Sequence, residues 1–127
     1  MVKINHASFI EKINAVKIPK QYADLELIYH IHSVNFLDSI EVLDSTNGLV
    51  LINITRNINT SAYLDIHLTK EDVNSILKFN KLYPIESISY NSDHILCKSI
   101  KNSLKVQCIS IPNFATQNRF AMSGNSI

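Results

Sequence analysis

With 127 residues, 46% of them apolar, and a formal net charge of +1, the chain has the size and composition to bury a single core, and neither disorder nor a disulfide-dependent miniprotein is indicated. Only two glycines and no tryptophan are present, which disfavours a nucleotide-binding enzyme built on glycine-rich phosphate loops. The two cysteines, Cys97 and Cys108, lie in neighbouring strand-like segments and read as packed thiols of a reduced compartment.

The opening MVKINHASFIEKINAV lacks the continuous apolar stretch and small-residue cleavage site of a secretory signal, and no segment is long enough to cross a bilayer. A cytoplasmic protein without a membrane partner is therefore expected. A short strand around residues 2–4 leads into an amphipathic helix. Phe9, Ile10, Ile13 and Val16 recur at helical spacing, and Glu11, Lys12, Asn14 and Lys17 are assigned to the opposite, solvated side. Asn5 is placed to cap this helix and Pro19 to stop it.

Three strands are predicted next, over 25–32, 39–43 and 49–56. In the first, Leu25, Leu27, Tyr29 and Ile31 alternate with Glu26, Ile28, His30 and His32, the period of two of a sheet. The second and third flank Asp44-Ser45-Thr46-Asn47-Gly48, a turn-forming cluster, and should pair as a hairpin.

The order then begins again. Ala62, Leu64, Ile66 and Leu68 alternate with Tyr63, Asp65 and His67, and the strand runs into Thr69-Lys70-Glu71-Asp72, an N-cap followed by carboxylates where the helix dipole favours them. Leu68 and Val73 stand at the two positions of a hydrophobic staple, and Val73, Ile76 and Leu77 supply the buried stripe. Beyond Pro84, strands are predicted over 85–90, 94–100 and 104–111, with turns at Asn91-Ser92-Asp93 and Lys101-Asn102-Ser103. The fold class is thus α+β: two successive β-α-β-β-β units, about 1–60 and 61–114, with two helices packed on one face of a mostly antiparallel sheet. Residues 115–127 read as a flexible C-terminal tail.

The doubled unit, opened by VKINHASFIEKINAV in one half and LDIHLTKEDVNSILKF in the other, resembles a domain of the DNA polymerase sliding clamps, the bacterial processivity clamp and the eukaryotic and archaeal ring alike. The run SISYNSDHILCKSIKNSLKVQCISIPNF is similar to the closing meander of such a domain with its Pro-and-Phe exit. The likeness covers nearly the whole chain and is carried by apolar and turn patterns, with no single diagnostic residue. It implies a DNA clamp-like fold and a non-enzymatic processivity factor in DNA replication. In such a clamp the helices face double-stranded DNA without reading its sequence, subunits associate through their sheet edges, and a polymerase or other replication protein is the partner. Clamps of this family close a ring from six domains, carried two or three to a chain, so a ring of single-domain subunits would be a homohexamer. The herpesvirus processivity subunit resembles a clamp and works without closing a ring.

Charge placement bears on the DNA expectation. Lys3, Lys12, Lys17 and Lys20 against Glu11 give residues 3–20 a net +3, and Lys70, Lys78 and Lys81 against Glu71 and Asp72 give residues 69–83 a net +1. Residues 21–68 carry Asp24, Glu26, Asp38, Glu41, Asp44 and Asp65 against Arg56, a net −5. Basic charge thus leans toward the helices, and Lys12, Lys17, Lys20, Lys70, Lys78 and Lys81 are the nucleic-acid-binding candidates. Lysines on the solvated face of an amphipathic helix are also the ordinary outcome in proteins that never meet DNA.

No nucleophile elbow, Cys-His pair or HExxH pattern is present, so no catalytic residue is expected. His30 and His32 share a strand face, but zinc needs further ligands whose convergence no spacing announces, and neither a metal nor a cofactor is expected. The competing function is a small phage- or mobile-element-type inhibitor or immunity protein that binds one protein partner. Oligomeric state and salt-dependent DNA binding separate the two.

Overall fold

The structure, a computed structural model, describes residues 2–34, 37–56, 64–91 and 93–109. Along these runs the chain forms β1 (Val2–Ile4), α1 (His6–Asn14), a 3₁₀ turn (Lys20–Tyr22), β2 (Leu27–Val34), β3 (Leu37–Asp44), β4 (Val50–Arg56), β5 (Asp65–Thr69), α2 (Lys70–Leu82), β6 (Ser87–Asn91), β7 (His94–Lys98) and β8 (Ser103–Gln107). The predicted order of elements is present, with boundaries displaced by a few residues. The expected exit at 111–114 and the tail at 115–127 lie outside the described residues.

Both helix starts follow from their caps. The Asn5 side-chain oxygen accepts a hydrogen bond from the Ser8 amide at 3.1 Å, and Thr69 Oγ1 accepts one from the Asp72 amide at 3.1 Å. Glu71 and Asp72 in the first turn of α2 and Lys81 in its last turn oppose the helix dipole. Phe9 and Ile13 of α1 and Val73 and Ile76 of α2 are fully buried, each contributing roughly 1.5–3 kcal/mol of apolar transfer. The β3–β4 hairpin turns as predicted at residues 44–48: the Gly48 amide donates to the Asp44 carbonyl at 2.7 Å, and Gly48 takes φ 73°, a left-handed conformation in which a Cβ would be costly.

The sheet arrangement differs from the expected one. The described residues form two four-stranded antiparallel sheets, ordered β1-β6-β7-β8 and β4-β3-β2-β5. Each half donates its first strand to the other. β1 pairs with β6, Ile4 opposite Ile88, and β5 pairs with β2, Ile66 opposite Ile31. A period-two pattern specifies which face of a strand is buried and leaves its distant partner open, so alternation alone could not reveal this exchange.

One core joins the two sheets. Tyr29, Ile31, Ile40, Val42, Ile66 and Leu68 of one sheet meet Ile4, Ile88, Ile95, Cys97 and Val106 of the other, together with the buried stripes of both helices. α2 contacts β2, β5 and β8, so it spans both sheets, and α1 lies against it. After β8 the chain crosses to the second sheet, where the Ile109 amide donates to the His67 carbonyl at 3.0 Å. The Ile109 side chain packs there on Ile28 and Leu43, on the sheet face turned away from the core.

Candidate functional site

The two helices form a groove of about 410 Å³ lined by Ile10 and Asn14 of α1 and by Leu77, Lys78, Asn80 and Lys81 of α2. Lys78 and Lys81 are exposed, as are Lys17 and Lys20 in the segment following α1, and Lys70 is half-buried at the start of α2. Five of the six lysines expected to meet phosphate therefore reach solvent, two of them on the rim of the groove.

Lys12 is the exception, and its assignment to the solvated side of α1 is corrected. Its side chain is 1% exposed and its Nζ lies 3.3 Å from Oδ1 of Asp38, which is 2% exposed. Asp38 also accepts a hydrogen bond from the Ser33 hydroxyl. Burial pulls the Lys12 ammonium below its usual pKa, and the facing Asp38 carboxylate opposes that shift. Positions 9, 12, 13 and 16 follow the i, i+3, i+4, i+7 rule, so Lys12 occupies the inward stripe with Phe9, Ile13 and Val16, and the ion pair is what permits a charge there. Lys12 is not available to a phosphate.

A second polar grouping lies on the outer face of the β4-β3-β2-β5 sheet. His30 of β2 stands opposite Glu41 of β3 on one side and opposite His67 of β5 on the other. His32 stands opposite Asp65. His30 Nδ1 is 2.9 Å from Glu41 Oε1, and its Nε2 is 2.7 Å from Asp65 Oδ1. The His30 ring stacks on His67 with centroids 4.2 Å apart and on His32 with centroids 4.4 Å apart. His30 and His67 are buried, whereas Asp65 is exposed. Two overlapping groups, His30-His32-Glu41 and His30-Asp65-His67, each bring three ligand atoms within 4.8 Å of one another. The shared face of His30 and His32, and that of Asp65 and His67, were both readable as alternation. What joins them is the β2–β5 pairing between halves, which no local signal carries.

Both cysteines are free thiols. Burial pushes Cys97 up to about 12, and burial, with Asp93 and Asp72 adding, pushes Cys108 up to about 11, so neither resembles an activated nucleophile. Among the described residues no helix is long and apolar enough to cross a membrane.

The chain matches no protein-family model. No curated protein matches it, and no solved structure does.

Proposed function

We propose that the chain is a non-enzymatic, clamp-like DNA-tethering or processivity protein that acts in the cytoplasm as an oligomer. The observation that carries this reading is the groove between α1 and α2, with Lys78 and Lys81 on its rim and Lys17 and Lys20 exposed beyond the end of α1. Flexible lysine ammoniums along adjacent helices suit phosphate contacts that carry no base information, so the duplex would be held irrespective of its sequence. The doubled β-α-β-β-β unit and its two neighbouring helices support the same reading, since a clamp presents its helices to DNA.

Self-association would use the edge strand β4. Among the described residues β4 ends its sheet, its one charged residue is Arg56 at its far end, and Val50 at its start and Leu49 just before it are 42% and 44% exposed. Edge strands offer unpaired backbone groups to another strand. The proposed partners are thus double-stranded DNA, further copies of the chain, and a polymerase or other replication protein.

Binding of two unrelated duplexes, followed by fluorescence anisotropy with solution mass measured in parallel by light scattering, tests the proposal. Comparable affinity for both duplexes, abolished by combining Lys78→Glu with Lys81→Glu, is the expected result. A hexamer would support a closed ring. If the double reversal folds and leaves DNA association unchanged, or if no DNA is bound, the tethering role is wrong and a protein-binding inhibitor becomes the better reading.

A further inference from the structure

We propose that His30, Asp65 and His67 bind one divalent transition-metal ion of the zinc class, with Glu41 orienting His30 from behind. Three side chains from two paired strands would hold the ion on the outer face of the β4-β3-β2-β5 sheet, a location unrelated to the helix groove.

The donor set is the first argument. Two imidazoles and one carboxylate are a usual protein ligand set for zinc when a fourth position is left to water. His30 and His67 are cross-strand partners, and Asp65 lies two residues before His67 on the same face of β5. Their ligand atoms all fall within 4.8 Å of one another. Zinc bonds of about 2.0–2.2 Å place neighbouring donors of a tetrahedron roughly 3.3–3.6 Å apart. The gap of 2.7 Å between His30 Nε2 and Asp65 Oδ1 has only to open slightly to admit the ion. The near-parallel rings of His30 and His67, 6° apart, have to tilt, and rotation about χ2 of histidine is soft.

The surroundings of His30 are the second argument. A metal-bound imidazole commonly donates its other ring N–H to a carboxylate, which fixes its tautomer and orientation. His30 Nδ1 sits 2.9 Å from Glu41 Oε1, leaving Nε2 directed at Asp65. His32 stacks on the His30 ring with its Nε2 3.6 Å from the same Glu41 oxygen, and so adds to the packing that holds His30 in place. Asp65, with a side chain 44% exposed, provides the open approach for the ion and its water, while His30 and His67 are 7% and 4% exposed.

The two ligand-bearing strands belong to different halves of the chain, so the ion would pin the donated strand β5 to β2. The test uses the full chain stripped of metal and titrated with Zn²⁺ by calorimetry and with Co²⁺ by visible absorption. One ion per chain, a Co²⁺ spectrum of four- or five-coordinate character, and a melting temperature raised by about 5–10 °C at a hundredfold excess over Kd are expected. Asp65→Asn and His67→Ala should each abolish tight binding, and Glu41→Gln should weaken it roughly 10-fold. His94→Ala, which removes an imidazole bonded to Asp93 outside the cluster, should leave it unchanged. Circular dichroism of Asp65→Asn verifies that the fold persists, because that residue is exposed. Absence of stoichiometric binding, or binding of equal strength in folded Asp65→Asn and His67→Ala, overturns the assignment.

Discussion

Lys12 and Asp38 face each other across the core at 3.3 Å, almost without solvent contact, and tie α1 to β3. Removing one partner strands the other charge in the interior. Lys12→Met is expected to destabilise the protein by about 3–5 kcal/mol in urea unfolding, and adding Asp38→Asn should restore much of the loss. Lys12→Glu should unfold the chain, whereas Lys78→Glu should leave stability within about 0.5 kcal/mol. Equal tolerance of the two reversals would contradict the burial of Lys12.

Alkaline stability follows from Cys97. Its thiol rises from 9.0 in the unfolded chain to about 12 in the fold, so between those values the folded state binds more protons and stability falls as pH rises. The loss attributable to this group should reach about 2–3 kcal/mol by pH 11. Tyr29, also raised by burial, acts in the same direction above pH 10.0. Lys12 acts oppositely: with its folded value lowered, the unfolded chain binds more protons up to 10.5, and that contribution grows with pH. Unfolding of the parent and Cys97→Ala between pH 8 and 11 isolates the thiol, and the substituted chain should show the shallower decline.

The cap of α2 should be measurable in isolation. Thr69→Ala leaves the Asp72 amide without its side-chain acceptor and is expected to cost about 1 kcal/mol, lowering the melting temperature by roughly 3 °C. Thr69→Ser, which keeps the oxygen, should recover most of it.

If Lys17, Lys20, Lys78 and Lys81 each neutralise one phosphate, the logarithm of the DNA association constant should fall with the logarithm of salt concentration with a slope of about −3 to −4. Each single lysine-to-alanine change among them should reduce the slope by roughly 1. A slope near zero would remove the phosphate-tracking role.

Edge pairing through β4 makes a separate prediction. Val50→Lys places a charge at an exposed edge position and should leave the fold intact while lowering the solution mass at a given protein concentration. An unchanged mass would exclude β4 as the self-association surface.

What was legible in the sequence was local. Thr69 with Glu71 and Asp72, the Asp44-to-Gly48 turn and the stripes of both helices announce themselves within a few residues, because caps, turns and periodicity are short-range physics. The wheel also carried the information that Lys12 lies three residues beyond Phe9 and beside Ile13, but charge suggests solvent, and the Asp38 that permits burial is remote in sequence. The histidine face was hidden for the same reason. His30 and His67 are neighbours only because β5 crosses to the sheet of the other half.

That crossing has a temporal side. β1 finds its partner strand only when β6 has been made, Ile4 then standing opposite Ile88, and the β2-β3-β4 meander acquires its fourth strand only with β5. Each half completes its sheet with a strand of the other, and β1 stays unpaired until β6 has been made. The pairings of β1 with β6 and of β2 with β5 are consequently paced by closure of long loops, and a chain truncated before β6 would leave β1 without its partner strand.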